Sequence, residues 1–146
     1  MEYRFASKQD LPSILELYKQ LNPDENVISK EFAEQIWDQL NQNKSIKYFI
    51  AVDNNKVISS CNMAIILNLT RNGRPYAVIE NVITDNAYRR LGIGKRIIQN
   101  AIDYAKYNNC YKVMLLSSMK RIEAHRFYES IGFSGDTKKG FEIRLE

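Results

Sequence analysis

The most informative stretch for chemistry is a basic, glycine-containing turn that precedes a helical pattern. Arg89, Arg90, Gly92, Gly94 and Lys95 lie within seven residues of one another. The N-terminus of a helix offers unpaired N–H groups at the positive end of the helix dipole, and guanidinium groups match phosphate oxygens in bidentate geometry. Glycines allow the backbone to approach those oxygens. The stretch therefore predicts a phosphate site, with a pyrophosphate as the expected ligand.

Two familiar phosphate loops are excluded by spacing. A dinucleotide-binding fingerprint needs a third glycine where this chain has Ile97, and a P-loop needs two glycines separated by four residues, the second followed directly by Lys-Ser/Thr. A helix start with a solvated basic face is the alternative interpretation of the turn.

A single carboxylate interrupts the apolar run that leads to this turn. Glu80 lies within Tyr76–Thr84, and a carboxylate in such a run must find a partner, water or an open cleft. Regular strand alternation predicts that Glu80 and Val82 share one face of the strand. The alternatives for Glu80 are a functional group in a cleft and a solvated or salt-bridged side chain.

The elements around the turn form a strand, turn, helix and strand. Tyr76–Thr84 is rich in β-branched and aromatic residues, which is typical of a mostly buried strand. Apolar residues at helical spacing predict a helix from about Gly92 to Lys106. Val113–Ser117 then predicts a second strand, which a right-handed crossover would place parallel to the first.

The rest of the chain supplies further alternating elements. We predict a strand at 3–6, a helix to about Gln20 and a second helix from Ser29 to about Gln42. Two strands at 48–52 and 57–66 are joined by a hairpin turn, and a helix covers about 122–131. Further strands begin at Phe133 and cover Gly140–Leu145. The predicted order is β, α, α, β, β, β, α, β, α, β, β.

Two segments carry a resemblance to a known family. Arg89-Arg90-Leu91-Gly92-Ile93-Gly94 resembles the Arg/Gln-x-x-Gly-x-Gly/Ala signature of the GNAT superfamily of acetyl-CoA-dependent N-acetyltransferases. The segment from Ala124 to Phe133 resembles the closing segment of that family, Ala-x-x-Phe/Leu-Tyr-x-x-x-Gly-Phe. Because the two motifs occur in order and at the expected distance, the resemblance covers nearly the whole chain.

The resemblance implies an α/β (α+β) GNAT fold and a set of cofactor contacts. In that fold, four helices flank a mixed central sheet of about six or seven strands, which splays apart between two parallel central strands and holds the pantetheine arm of the cofactor. The implied co-substrate is acetyl-CoA. The implied cofactor-binding residues are Val82, Ile83, Thr84, Arg89, Arg90, Leu91, Gly92, Ile93, Gly94 and Lys95.

The resemblance also assigns catalytic roles. Tyr128 belongs to an apolar stripe on the 122–131 helix, where the pattern alone predicts a core aromatic residue. The family motif instead implies that Tyr128 is the general acid that faces the thioester sulfur. Glu80 is the candidate general base, acting through water on an ammonium substrate. The backbone N–H of Val82 or Ile83 would polarise the thioester carbonyl.

The chain departs from the family pattern at positions that bear on the substrate. Arg121 replaces an asparagine that many relatives place three residues before the alanine of the motif, so we expect Arg121 to contact a cofactor phosphate or an acidic substrate group. The strand at 113–117 lacks the glutamate that often occurs in relatives that acetylate ribosomal proteins, which weakens a protein N-terminal substrate. His125 is either an auxiliary base or a hydrogen-bonded surface histidine.

Composition bounds the remaining possibilities. A chain of 146 residues, 45% hydrophobic and 26% charged, predicts one soluble domain covering 1–146. No run is long enough to cross a membrane, and the first residues do not resemble a signal peptide, so we expect a cytoplasmic protein. The two cysteines are expected to be free and buried, and a lone histidine argues against a metal site. The net charge of +4 fits an anionic cofactor better than nucleic acid.

The sequence thus predicts an acetyl-CoA-dependent N-acetyltransferase whose acceptor is a primary amine, expected on a small molecule. The alternatives are a protein or peptide N-acetyltransferase and a catalytically silent acyl-CoA-binding module. Nucleic-acid binding through the basic turn is a third, weaker alternative, which predicts affinity that falls steeply with salt. The oligomeric state is left open, with a homodimer among the candidates.

Overall fold

The computed structural model describes residues 1–146 and contains one five-stranded mixed sheet with four helices. The order of elements agrees with the prediction as far as the last helix and confirms the fold class. The elements are β1 (Glu2–Phe5), α1 (Leu11–Leu21), α2 (Lys30–Gln42), β2 (Ile46–Asp53), β3 (Lys56–Ile66), β4 (Tyr76–Thr84), α3 (Ile93–Tyr107), β5 (Val113–Met114) and α4 (Ile122–Ile131).

Local sequence signals explain several element boundaries. Asn54 and Asn55 adopt left-handed conformations, with φ of 48° and 63°, and asparagine tolerates that region better than most residues. They therefore form the two-residue loop of the predicted β2–β3 hairpin. At the start of α2, Ser29 Oγ accepts a hydrogen bond of 3.1 Å from the backbone N–H of Phe32, as expected of an N-cap residue.

Helices cover both faces of the sheet. The α3 helix lies on one face, where Ile93, Ile97 and Ile98 pack with residues of β2, β3 and β4 in the largest core cluster. The α1 helix lies on the other face, where Ile14 and Leu17 pack against Ile50, Val57 and Ile83. A third, smaller cluster joins α2 to α1 through Leu11, Ala33 and Trp37. The central strands are thus fixed from both sides.

The sheet opens between its last two strands. Its order is β1-β2-β3-β4-β5, and the only parallel pair is β4 with β5, in the register Ala77 opposite Val113 and Val78 opposite Met114. Pairing ends there, so the remainder of β4, from Ile79 to Thr84, has no strand on its β5 side. This is the splay between parallel strands that the resemblance to the GNAT family implied.

The predicted strand count is too high because the two C-terminal strands do not form. Residues from Phe133 to Glu146 belong to no strand, and the segment Gly140–Leu145 pairs with none of the five strands. Apolar and charged residues do alternate in that segment, but in the structure it pairs with no strand of its own chain.

Candidate active site

The basic turn forms an open cradle of backbone N–H groups at the start of α3. Gly92 precedes the first helical residue with φ of 79°, a left-handed conformation that favours glycine, and Arg90 has φ of 63°. The N–H groups of residues 91–95 donate no hydrogen bond within the chain. The side chains of Arg90 and Lys95 are exposed beside them. The cradle therefore presents positive potential and free donors to a phosphate group.

The cradle is anchored by a buried carboxylate that sequence reasoning did not single out. Asp85, 4% exposed, accepts hydrogen bonds from Lys56 Nζ at 2.7 Å and from the backbone N–H of Ala87 at 2.9 Å. These two donors, the lysine first, lower the pKa of the Asp85 carboxyl below its ordinary value. Asp85 thus ties the end of β4 to the β2–β3 hairpin.

The substitution Asp85→Asn is expected to lower stability at neutral pH by about 1 kcal/mol, since it removes a charge-assisted hydrogen bond. Because the folded pKa of Asp85 is depressed, its contribution is complete above the unfolded value and disappears as pH falls through the folded value. Denaturant titrations across pH should therefore show the two proteins converging in acid. Asp38→Asn, which breaks an exposed pair with Lys8, is the matched control and should change little. A pH-independent gap would contradict this role for Asp85.

The cradle lies in close contact with the end of β4 and with α4. A Cβ atom at Gly94 would lie 3.0 Å from Thr84 Oγ1 and 3.5 Å from Phe127 Cζ, so a side chain at this position would require Thr84 to shift. The Thr84 hydroxyl in turn lies 2.8 Å from Ser59 Oγ, which also donates to the Ile83 carbonyl at 3.1 Å. Ser59, a second residue that sequence reasoning missed, therefore fixes the position of the end of β4 relative to the cradle.

A β-bulge lies in β4 just before this end. Asn62 lies opposite Glu80 and Ser60 lies opposite Ile83. The one residue between these two positions in β3 therefore faces the two residues between them in β4. Asn81 accommodates the bulge with φ of 54°, and its side-chain amide donates to Asn62 Oδ1 at 2.9 Å. Bulges of this kind re-aim side chains and increase local twist.

The bulge corrects the predicted alternation of β4. Ile79 packs in the core cluster on the α3 side, whereas Ile83 packs in the cluster on the α1 side. In a regular strand these two residues would share a face. Val82 packs on the α3 side, and Glu80, adjacent to Ile79, points to the α1 side. The prediction that Glu80 and Val82 share a face was therefore wrong, because a period of two does not anticipate an inserted residue.

The Glu80 carboxylate is free in the structure. It is exposed and forms no ion pair and no hydrogen bond within the chain. The sequence left Glu80 as a functional group in a cleft, a solvated side chain or a salt-bridged side chain, and the last of these does not occur. A carboxylate exposed on the splayed half of β4 can accept a proton from a nearby group directly or through water.

The phenol of Tyr128 faces the same region from α4. Tyr128 is half-buried, with edge-on ring contacts to Phe127 at 5.2 Å and to Phe133 at 6.0 Å. Burial raises the pKa of its hydroxyl; Arg121 opposes that shift, and the nearby Glu80 adds to it. The hydroxyl makes no hydrogen bond within the chain. A protonated phenol without a partner is suited to donate a proton to a bound group.

Two further candidate residues, Arg121 and His125, lie near the start of α4. Arg121 occupies the N-cap position of α4, is exposed and pairs with no carboxylate. Its positive charge acts on the Tyr128 hydroxyl and lowers the pKa of that group. The Nε2 atom of His125 lies 2.7 Å from the Ser118 carbonyl oxygen, so the ring holds the segment before α4 in place.

The remaining candidate groups are the two cysteines and the possible metal ligands. Cys61 and Cys110 are free and buried, as predicted, and burial raises the pKa of the Cys61 thiol to about 12. No three residues among His, Cys, Asp and Glu lie close enough together to hold a metal ion. None of the four helices combines the length and apolarity needed to cross a membrane.

A family model and individual relatives match this chain over most of its length. The model of the acetyltransferase (GNAT) family matches residues 11–133, which confirms the resemblance found in the sequence. A glucosamine 6-phosphate N-acetyltransferase of Trypanosoma brucei brucei is 32% identical over 146 residues, covering 100% of this chain and 95% of that protein. N-alpha-acetyltransferase 30 of Homo sapiens is 26% identical over 138 residues, 92% of this chain but 35% of that protein.

A solved structure agrees with the whole fold. The protein described as a "putative acetyltransferase" from Agrobacterium tumefaciens str. C58 is 40% identical and superposes with a TM-score of 0.94, over 99% of each chain. The two proteins therefore share the same overall fold.

Proposed function

The chain belongs to the acetyltransferase (GNAT) family and is an acetyl-CoA-dependent N-acetyltransferase, and from that premise we propose that it acetylates a primary amine on a small molecule, with Tyr128 as general acid and Glu80 as general base. One observation carries the proposal. The free Tyr128 phenol and the free Glu80 carboxylate lie near each other at the open β4/β5 splay, which adjoins the N–H cradle of α3.

The cradle fits the diphosphate of coenzyme A. The unpaired N–H groups of residues 91–95 and the side chains of Arg89, Arg90 and Lys95 provide donors and positive charge at one point. We assign the cofactor contacts to these residues and to Val82, Ile83 and Thr84, which line the unpaired side of β4. When bound there, the thioester supplies the activated acetyl group.

Tyr128 would protonate the departing sulfur. Attack of the amine nitrogen on the thioester carbonyl forms the C–N bond and breaks the C–S bond, so the thiolate needs a proton. The raised pKa of Tyr128 keeps its phenol protonated at neutral pH. A backbone N–H of Val82 or Ile83 would stabilise the negative charge on the carbonyl oxygen.

Glu80 would accept the proton that the ammonium substrate must lose. Its carboxylate is exposed and unpaired, and it points to the face of β4 that carries α1. An exposed carboxylate can form hydrogen bonds with ordered water. This supports a base that acts on the amine through water rather than by direct contact with it. With Glu80 as the base, the amine would lie on the α1 side of the splay.

The acceptor is proposed to be an amino sugar phosphate, with glucosamine 6-phosphate as the first candidate. The relative from Trypanosoma brucei brucei that matches the full chain is named for that substrate. Arg121 adds an exposed, unpaired guanidinium whose charge acts on Tyr128, and guanidinium groups bind phosphate in bidentate geometry. A peptide N-terminus is the second candidate, because N-alpha-acetyltransferase 30 also matches most of this chain.

The proposal predicts a clear order of substrates. Thiol release from acetyl-CoA should show the highest kcat/KM with glucosamine 6-phosphate, a roughly tenfold lower value with glucosamine, as expected for loss of one charge-assisted phosphate contact, and less with short peptides. Calorimetry with acetyl-CoA should give heat that free CoA competes away. A preference for peptides would favour the protein N-acetyltransferase alternative. Binding of acetyl-CoA without turnover on any amine would favour the silent binding module.

A further inference from the structure

The loop that joins β3 to β4 carries two leucines that are almost entirely in solvent. Leu67 is 88% exposed and Leu69 is 99% exposed. Between them, the Asn68 side chain turns back into the loop and donates to Thr70 Oγ1 at 2.9 Å and to the Arg74 carbonyl at 3.3 Å. These hydrogen bonds hold the loop in a shape that leaves both leucine side chains without a partner.

The second half of this loop is a tight left-handed turn. Arg71, Asn72 and Gly73 have φ of 54°, 60° and 73° in succession, and an arginine in this region is uncommon. The turn is closed by backbone hydrogen bonds from Gly73 to the Thr70 carbonyl at 3.1 Å and from Arg74 to the Arg71 carbonyl at 3.2 Å. A loop that is already fixed pays little ordering entropy when it binds a partner.

Cations surround this loop, and the neighbouring stretches of chain lack carboxylates. The stretches 54–79 and 104–122 contain no aspartate and no glutamate. Their exposed cations in the loop and near the turn after α3 are Arg71, Arg74, Lys106 and Lys112. None of these four side chains forms an ion pair. The positive charge of this surface is therefore not compensated by the protein itself.

Tyrosine rings join the loop to the turn that follows α3. The backbone N–H of Tyr111 donates to the Pro75 carbonyl at 2.9 Å, and the Tyr111 and Tyr76 rings meet edge-on at 6.4 Å. The Arg71 guanidinium lies 5.3 Å from the centroid of the Tyr111 ring, and Lys112 Nζ lies 5.4 Å from the same centroid. Apolar, aromatic and cationic side chains thus share one surface.

Residues 67–75 and 106–112 make up this surface, which we call the basic face. It lies at the opposite end of the sheet from the cradle, because the loop precedes β4 and the cradle follows it. The nine residues of Tyr76–Thr84 separate the two by roughly 26 Å at the rise of an extended strand. The α3 helix likewise begins at the cradle and ends at the basic face. The basic face is therefore a second positive surface, separate from the cofactor site.

We propose that the basic face docks the protein on an anionic lipid surface, with the side chains of Leu67 and Leu69 inserted below the headgroups. Binding at a lipid interface combines buried apolar area with attraction between Lys or Arg and anionic headgroups, and tyrosine rings favour the headgroup level. Phosphate contacts alone, as in nucleic-acid binding, would leave both leucines in water. Docking through this face leaves the cradle at the far end of the molecule, open to acetyl-CoA.

Sedimentation with vesicles tests the docking of the full chain. The protein should bind vesicles of equimolar phosphatidylcholine and phosphatidylserine and should not bind vesicles of phosphatidylcholine alone. Because salt screens exposed charges, binding should weaken as the sodium chloride concentration is raised. Equal binding to both kinds of vesicle, or binding to neither, would overturn the proposal.

Two double variants measure the apolar and the electrostatic contributions separately. Leu67→Ser/Leu69→Ser should lower the vesicle partition coefficient about tenfold or more, because it removes both inserted side chains. Arg71→Gln/Lys112→Gln should lower it about fivefold for each cation removed. Vesicle binding that is independent of the leucines would contradict insertion and overturn the proposal.

Lys19→Gln/Lys30→Gln is the control for net charge, because it removes two cations from exposed sites on α1 and α2. It should bind vesicles as the wild type does. Circular dichroism and the heat of acetyl-CoA binding should be unchanged in all three variants, since every changed side chain is exposed and none belongs to the cradle. A loss of vesicle binding in this control equal to that of the basic-face variant would show attraction without a specific face, and would overturn the proposal.

Two other occupants of the basic face would give different results. A nucleic acid would bind in mobility-shift experiments with mixed-sequence DNA or RNA, and its affinity would depend on Arg71 and Lys112 but not on the leucines. A second copy of the chain would give a larger mass in light scattering, and that mass would fall in Leu67→Ser/Leu69→Ser. Either result without leucine-dependent vesicle binding overturns the assignment to a lipid surface.

Discussion

Replacing Tyr128 with phenylalanine is expected to lower kcat by about 10²-fold or more, the usual contribution of a general acid. A 10²-fold loss corresponds to about 2.7 kcal/mol of transition-state stabilisation. The ring contacts with Phe127 and Phe133 remain, and the hydroxyl that is lost has no partner within the chain. Folding should therefore be intact, and the heat of acetyl-CoA binding should be unchanged.

Tyr107→Phe is the matched control for this substitution, because Tyr107 is 88% exposed and lies at the end of α3, away from the splay. It should retain the wild-type kcat. Stopped-flow measurement of thiol release distinguishes the chemical step from product release, which limits many enzymes. If Tyr128→Phe retains full single-turnover rate while binding acetyl-CoA normally, Tyr128 is not the acid, and the departing thiolate takes its proton from solvent.

Those parts of the fold that depend on neighbouring residues could be predicted from the sequence. The bounds of α4, Ile122–Ile131, agree with the prediction, and α3 differs by one residue at each end. The asparagine pair at 54–55 and the Ser29 cap are equally local signals, since each acts within a few residues of its own backbone. The splay followed from the resemblance to the GNAT family, not from the pattern.

What the sequence did not reveal depends on contacts between distant segments. Asp85 with Lys56 and Ser59 with Thr84 join residues more than twenty positions apart, and neither pair has a sequence signature. The bulge at Asn81 was missed for a related reason, because its position is set by the pairing of β4 with β3. Gly140–Leu145 was predicted as a strand from true alternation, but a pattern of period two cannot specify which edge, or which chain, it joins.

The bulge determines which residues share a face with the proposed base. By shifting the alternation of β4 after Glu80, it turns Val82 to the α3 side and Ile83 to the α1 side, the side to which Glu80 points. A strand without the inserted residue would change which β4 side chains reach that face. The hydrogen bond from Asn81 to Asn62 holds the bulge beside Glu80, so the neighbours of the proposed base on its face depend on this backbone irregularity.

The substitution Glu80→Gln is expected to reduce kcat/KM by about tenfold near neutral pH, because without a base only about a tenth of an amine with a pKa of about 8 is neutral at pH 7. Glutamine keeps the shape of the side chain, and Glu80 makes no hydrogen bond or ion pair that the change could break. Because the base only removes a proton from the ammonium substrate, the loss should shrink as pH approaches the pKa of the amine itself, about 8 for an α-amino group. Rate profiles from neutral to alkaline pH measure this effect.

Glu31→Gln on α2 is the control for net charge, because it changes the charge of the chain by the same amount at an exposed site in the first turn of that helix. It should leave kcat/KM unaltered, so any general weakening of attraction between enzyme and substrate appears in both variants. A Glu80→Gln defect that stays constant across pH would indicate a role in binding the amine. An unaltered rate at every pH would exclude Glu80 as the base and leave the proton to bulk water.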